Sequence, residues 1–464
     1  MKTVYQHNRE LIENAVPRIL SEDEQSWTKA LALDDQLSAK DRLLWGSNVP
    51  GSGAPEQVIV GGILAMQTMG YDVSEAEKLI EPALKARQED DRITLGMLTA
   101  KVFHILNNCP KVKDHPYFAY TVYENYDQYR KAVSFPAKAD IDTASKDFLD
   151  RTHAAWLTQI IGAALGTCLE GYTADALKAF FGEIRDYPRK PSTYNDDITF
   201  ELAFLEAFIK SGSKITSEDV ALHWAGMIPS AWSAEDIALQ NFKLGIFPPE
   251  SGYRCNPWRE WIGAQMRGAI CGMLAPGNAE EAARLAWIDG CISHHNNGIL
   301  GEIFNAVMVS LAYSMDNVKD VMLAAFSAIP ADSEYRSVID FALESCRQHD
   351  DWLSAWRPCE EKYSAYNWIH AYPNAAAEVV ALYYCNNDFD TCMNIIGMLG
   401  QDSDCNAAQI ATLFGAMQGH SCIDAHWSDP IGDDLYTYVR GYHQLTITEL
   451  AQRTVDAVNN ADKH

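Results

Sequence analysis

The stretch Asn394–Ala408, which reads NIIGMLGQDSDCNAA, decides the fold of this chain. Its two carboxylates, Asp402 and Asp404, stand between an apolar run and a segment rich in alanine. Small residues recur at every fourth position of the predicted helix over 407–419: Ala411, Gly415 and Gly419. A face of small residues lets a second helix approach closely, so the sequence predicts that both carboxylates lie at a buried helix N-terminus.

Two interpretations of this acidic pair stay open on the stretch alone. A buried carboxylate without a partner is destabilising, and a metal cation would supply that partner, while the positive end of the helix helps to hold the acids. Alternatively, one aspartate caps the helix and the other is solvated.

The composition excludes several classes of protein. The 464 residues are 47% apolar, which allows one large domain or two. The net charge of −26 argues against nucleic acid and anionic membranes as partners, because phosphate contacts need clustered Lys and Arg. Eleven cysteines without a CxxC pair predict a reduced, cytoplasmic protein. We expect no signal peptide over 1–20 and no membrane span.

A second acidic motif lies earlier in the chain. The segment YPRKPSTYNDDIT over 187–199 contains two prolines, which predict a loop, and the apolar spacing after it predicts a helix beginning at Phe200. Three polar residues therefore stand at a second helix N-terminus: Asn195, Asp196 and Asp197. Four carboxylates from two helix starts suit Mg²⁺, Mn²⁺ or Ca²⁺, whereas zinc prefers His and Cys at defined spacing.

The glycine-rich segment 161–171, IGAALGTCLEG, precedes that loop. Gly162 and Gly166 are four residues apart, which predicts close packing of a helix. Glu170 stands where this helix ends, beside Gly171. It is either an exposed residue at a helix end or a carboxylate directed into a pocket.

The polar segment 293–298, SHHNNG, precedes a predicted apolar helix. Three of its residues are candidates for substrate contact: His294, Asn297 and Gly298. The alternative is structural, with one histidine hydrogen-bonded and the other exposed. Arg259 and Arg267 are candidates to bind a carboxylate or phosphate, and surface or capping roles stay equally open.

Helical spacing recurs along the chain and no convincing strand alternation is present, so we predict an all-α, compact multi-helix fold. Residues 1–148 are interpreted as an N-terminal helical extension packed on a core over 149–464. No Gly/Ser-rich or Pro-rich linker separates the two parts.

Taken in order, these motifs resemble those of the ADP-ribosylglycohydrolase family, also called the DraG-like hydrolases. The glycine-rich helix before Glu170 resembles the family's opening motif. The residues YNDD at 194–197 resemble its Thr-Asp-Asp motif, and GQDSDCN at 400–406 is similar to its Gly-Gly-Asp-x-Asp-Thr motif. The resemblance covers roughly 150–464.

This resemblance implies an all-helical core that holds two Mg²⁺ ions, with Mn²⁺ as an alternative, and cleavage at the anomeric carbon of an ADP-ribosyl group. It implies six metal ligands: Asn195, Asp196, Asp197, Asp402, Asp404 and Cys405. It implies acid–base or gating roles for four carboxylates: Glu170, Asp196, Asp197 and Asp402. Cys405 replaces a Thr or Ser of the family, and a thiol is a poor Mg²⁺ ligand.

Three functions stay open. The first is a hydrolase that removes ADP-ribose from a protein or small acceptor. The second is a hydrolase of a simpler N-riboside, such as a nucleoside, on the same metals. The third is a non-enzymatic scaffold, which the four retained aspartates disfavour. We expect an ADP-ribosylated acceptor or a small riboside as partner, and neither nucleic acid nor membrane.

Overall fold

The computed structural model describes residues 1–463, and α-helices form most of it. The helices of the first third are α1 Val4–Glu13, α2 Ser26–Trp45, α3 Val58–Thr68, α4 Ser74–Glu77, α5 Ile80–Gln88, α6 Arg92–Leu106 and α7 Tyr126–Ala132. Those of the middle are α8 Lys146–Gly166, α9 Ala174–Phe181, α10 Asp196–Ser211, α11 Ser217–Met227, α12 Ser233–Lys243, α13 Glu250–Tyr253, α14 Gly268–Met273, α15 Ala279–Gly290 and α16 Asn297–Ala312.

The last third continues with helices. They are α17 Val318–Ala325, α18 Glu334–Gln348, α19 Trp352–Lys362, α20 Ala371–Tyr384, α21 Phe389–Leu399, α22 Ser403–Gln418, α23 Ala425–Ser428 and α24 Ile447–Asn460. Within residues 1–463, two antiparallel pairs of short strands occur: β1 Ser47–Asn48 with β2 Pro55–Glu56, and β3 Asp434–Tyr436 with β4 Gln444–Thr446. The predicted all-α fold is confirmed.

The crossing of α8 and α22 is the most extensive helix–helix contact of the fold. A Cβ atom at Gly166 of α8 would overlap the Cα of Asp404, and one at Gly415 of α22 would overlap the backbone of Ala154. The glycine and alanine spacing therefore allows the close approach that the sequence predicts. Because α8 touches α22 at Asp404, the crossing places this carboxylate beside the end of α8 that leads to Glu170.

The helices behind both acidic motifs start earlier than the sequence predicts. Helix α10 begins at Asp196 and α22 at Ser403, four residues before the expected starts. Polar side chains satisfy the free N–H groups of a first turn, so they extend a helix beyond its apolar run. Asp404 consequently lies inside the first turn of α22, whereas the sequence predicted a position before the helix.

Residues 1–148 contact the rest of the chain through their own hydrophobic cluster. Trp45 and other apolar side chains of α2 to α6 pack with Trp258 and its neighbours. The Trp258 Nε1 donates to the Val58 carbonyl at 3.0 Å, and the Tyr172 hydroxyl donates to the Ser52 carbonyl at 3.1 Å. The division at residue 148 and the extension's behaviour as a packed unit stay predictions.

Candidate metal centre

The first acidic motif is fixed by the cap of α10. Asn195 has an extended backbone, and its Oδ1 accepts a hydrogen bond from the Asp197 amide at 2.6 Å. Its Nδ2 donates to Asp404 Oδ2 at 3.1 Å. Asn195 therefore ends the loop, starts the helix and joins the two acidic motifs directly.

The second motif is held at the start of α22. The Asp404 Oδ1 accepts from the Cys405 amide at 3.0 Å, which points its other oxygen toward Asn195. Asp402 is the N-cap residue, but its side chain makes no capping hydrogen bond and is 5% exposed. The Oδ1 of its carboxylate is buried without a hydrogen-bond partner and is available to another group.

The two motifs meet in space. One group of side chains with potential ligand atoms within 4.8 Å of one another comprises Asp196, Asp197 and Asp404. A second such group comprises Asp402, Asp404 and Cys405. Since Asp404 belongs to both groups, the structure assembles one acidic centre from the starts of α10 and α22.

Glu170 joins this centre from the loop after α8. It is 9% exposed, and the charges of Asp404 and Asp402 act on it. Two backbone hydrogen bonds tie its loop to the second acidic loop: Gly171 N to Gln401 O at 2.8 Å, and Gln401 N to Tyr172 O at 3.3 Å. The burial of Glu170 beside the acidic centre excludes the interpretation as an exposed residue at a helix end.

Burial governs the acidity of the cluster. It raises the pKa of Asp197, Asp402 and Glu170 well above the usual range, and the charge of nearby Asp404 raises all three further. Burial, followed by the Asp404 charge, also raises the pKa of Asp196 to about 6. Asp196 is the solvent-exposed member of the centre, although its surroundings are dense.

Comparison with known proteins identifies a family for this chain. The family model described as ADP-ribosylglycohydrolase matches residues 144–463, which is more than half of the chain. The chain belongs to the ADP-ribosylglycohydrolase family. A solved structure described as an "ADP-ribosylglycohydrolase-related protein complex" is 20% identical, with a TM-score of 0.47 over 68% of this chain and 99% of that one. No curated protein is significantly similar in sequence.

Membership of the ADP-ribosylglycohydrolase family makes the chain a glycosidic hydrolase, and the buried oxygens of the cluster fit a hard cation. Both carboxylate oxygens of Asp197 and the Oδ1 of Asp402 are buried without a hydrogen-bond partner. Such atoms require a proton or a cation. Oxygen donors in this number suit Mg²⁺ or Mn²⁺. The Cys405 Sγ is a weaker candidate, because it donates to the Met266 Sδ at 3.7 Å.

Sequence reasoning missed Asn374, which orients the second acidic loop. Its Oδ1 accepts from the Asp402 amide at 3.0 Å and from Asn406 Nδ2 at 2.7 Å. Its Nδ2 donates to the carbonyls of Trp368 and His370, each at 2.8 Å. The adjoining proline in Tyr372-Pro373-Asn374 signals a helix start, which the structure has at Ala371, but nothing in the sequence names the partner.

The candidates from the segment 293–298 lie in a neighbouring buried polar network. His294 Nδ1 hydrogen-bonds with the Ser293 hydroxyl at 2.8 Å, and its Nε2 lies 3.9 Å from Glu235 Oε1. Asn297 donates to Glu260 Oε2 at 3.1 Å. Gly298 packs against the Arg259 carbonyl, where a side chain would not fit. Contact of these residues with a substrate stays a prediction.

Arg267 organises that network. It is 1% exposed and pairs with Asp289, with Glu235 at 3.3 Å and with Glu302 at 3.9 Å. Arg267 therefore binds carboxylates of its own chain, and the surface interpretation is wrong because the side chain is buried. The charge of Asp196 acts on Glu235, so the Arg267 network lies next to the first acidic motif.

Proposed function

We propose that this glycosidic hydrolase is Mg²⁺-dependent and cleaves the bond at the anomeric carbon of an ADP-ribosyl group. The observation that carries the proposal is the set of buried, unpartnered carboxylate oxygens where two helix N-termini meet. Membership of the ADP-ribosylglycohydrolase family supports an ADP-ribosyl group as the part of the substrate that these acids meet. Helix N-termini also attract phosphate without Lys or Arg, which reconciles a diphosphate substrate with the acidic chain.

Asn195, Asp197, Asp402 and Asp404 hold divalent cations in this proposal. Bound there, the cations lower the pKa of a water molecule and orient ribose hydroxyls. Asp196, which is solvent-exposed and has a pKa of about 6, accepts a proton from the attacking water. The water oxygen forms the new bond to the anomeric carbon as the bond to the aglycone breaks. Glu170, whose pKa is raised by burial, donates the proton that the aglycone needs to leave.

A substrate panel tests the reaction. ADP-ribosyl-arginine, ADP-ribosyl-serine and simple nucleosides are incubated with the protein in Mg²⁺ and in EDTA. We expect release of ADP-ribose from at least one ADP-ribosyl substrate in Mg²⁺ alone. Hydrolysis restricted to nucleosides would favour the N-riboside alternative, and no hydrolysis of any substrate would favour the scaffold.

Two variants distinguish a residue that binds the metal from a residue that transfers a proton. Asp404→Ala should abolish both Mg²⁺ binding and turnover, because Asp404 belongs to both ligand groups. Glu170→Gln should retain Mg²⁺ binding while turnover falls by about 10²–10⁴, the usual contribution of one acid–base group. Asp429→Ala, which removes an exposed carboxylate, is the matched control. Unchanged turnover in Asp404→Ala would contradict the proposed metal-dependent reaction.

A further inference from the structure

A second cavity lies between the N-terminal extension and the core and shares no lining residue with the acidic centre. Its volume is about 580 Å³, within the range of small-molecule sites. Helix α6 and the loop after it line one side, and the segment 253–259 lines the other. It is accordingly a junction cavity, built from both parts of the chain.

Two cations line this junction cavity without a carboxylate partner. Lys111 lies over the Phe118 ring, 4.8 Å from its centroid, and makes no ion pair with the residues that the structure describes. Arg259 donates to the Asn256 carbonyl at 2.9 Å and likewise has no acidic partner within 1–463. In a chain of net charge −26, two such cations facing one cavity are unusual.

The nearest acid in sequence, Glu260, makes no ion pair with Arg259. Its carboxylate accepts hydrogen bonds from the Tyr117 hydroxyl at 2.6 Å and from the amides of Asn296 and Asn297 at 2.8 and 3.1 Å. Glu124 also lines the cavity and is exposed, as Lys111 is, so solvent screens both charges. The two cations of the lining outnumber its single carboxylate, which favours an anion.

The walls of the cavity are aromatic. Four rings line it together with the cations: Tyr71, Phe103, Phe118 and Tyr253. The Arg259 guanidinium lies 5.7 Å from the Tyr71 ring centroid. Aromatic faces bind planar rings by stacking, and Arg and Lys bind phosphate oxygens.

We infer that the junction cavity binds a nucleoside phosphate, with its base between the aromatic side chains and its phosphate on Lys111 and Arg259. The inference is independent of the proposed hydrolysis, because no ligand of the acidic centre takes part. Since α6 and the segment 253–259 both touch the ligand, occupancy would link the extension to the core.

Cys255 supplies a local reporter of this site. It lines the cavity and is the one exposed thiol among the eleven cysteines, all of which lie within the described residues. Alkylation of Cys255 by iodoacetamide is followed by mass spectrometry in EDTA, with ADP, adenosine or inorganic pyrophosphate added at millimolar concentration. Cys255→Ser gives the background from the less accessible thiols. ADP should slow the alkylation of Cys255, and adenosine or pyrophosphate should do so far less.

Variants assign the effect to the two cations. Arg259→Met and the exposed Lys111→Met should each weaken ADP binding by about tenfold or more, as expected for loss of a charged hydrogen bond. Lys101→Met removes an exposed cation from helix α6, outside the cavity lining, and should leave binding unchanged. The inference is overturned if ADP gives no protection, if adenosine or pyrophosphate alone protects as well as ADP, or if Lys111→Met behaves like Lys101→Met.

Discussion

Cys405 occupies a ligand position with a poor ligand atom. Its thiol is buried among hard carboxylate oxygens, and burial raises its pKa well above the ordinary value, so it stays protonated. We therefore expect Cys405→Ser to keep or improve Mg²⁺ affinity, measured by titration calorimetry, because a hydroxyl oxygen suits a hard cation better. A loss of affinity of about tenfold or more would show that sulfur binds the metal, and a softer ion would then be indicated.

Glu378 makes stability depend on pH at a site remote from the cluster. Burial raises the pKa of Glu378 from 4.5 to about 8, although the Asn305 amide donates to its Oε1 at 3.1 Å. The folded protein thus keeps a proton that the unfolded chain loses. This stabilisation is complete below about pH 4.5 and disappears as the pH rises through about 8.

Glu378→Gln mimics the protonated form at every pH. We expect this variant to raise the free energy of unfolding near pH 8 and to change it little near pH 5, measured by urea denaturation at both values. Glu344→Gln removes an exposed carboxylate and serves as the control. An equal effect of Glu378→Gln at the two pH values would contradict the raised pKa.

At the residue scale, sequence reasoning located the acids but not what orients them. Local apolar spacing placed Asp196, Asp197, Asp402 and Asp404 next to two helices, although each helix begins earlier than that spacing indicates. The role of Asn374 depends on a contact between α20 and α22, and no local pattern encodes such a pairing. Arg267 was ambiguous for the same reason, because its acidic partners come from separate helices.

The close packing of α8 against α22 fixes the position of Asp404 in the acidic centre. Gly166→Ala should destabilise the protein by about 1–3 kcal/mol, because its Cβ has no space beside Asp404. It should also weaken Mg²⁺ binding, since Asp404 must shift. Gly226→Ala in α11 meets nothing within 4 Å and should stabilise by about 0.5–1 kcal/mol. Thermal unfolding and calorimetry of both variants check this, and equal stability of the two would contradict it.

The sequence predicted the presence of a helix wherever the apolar spacing was strong, but it did not predict the residue at which the helix starts. The helices behind both acidic motifs begin four residues earlier than the apolar residues indicate. In α22 the side chains of Ser403, Asp404 and Asn406 hydrogen-bond to other elements. In α10 Asp197 and Thr199 donate to the cap residue Asn195, which itself contacts Asp404. Their helical state is thus stabilised by tertiary contacts that a local pattern does not contain.

At the scale of the whole molecule, we predict that residues 1–148 do not separate from the rest of the chain as an independent module. The Trp258–Val58 and Tyr172–Ser52 hydrogen bonds cross this boundary, as does the hydrophobic cluster around Trp45. We expect limited trypsin digestion to trim exposed termini without releasing a stable fragment that ends near Ser145. Mass spectrometry of the products decides this, and such a fragment would show an independent module. Among the described residues, no helix is long and apolar enough to cross a bilayer.

The backbone pairing of Gly171 with Gln401 makes the loop that carries Glu170 and the loop that carries Asp402 a single mechanical unit. A hinge motion of either loop would pull the other along and would also displace Asp402. Rotation of the Glu170 side chain about its own bonds would instead give a substrate access without breaking this pairing. The amides of Gly171 and Gln401 should consequently exchange with deuterium at one common rate.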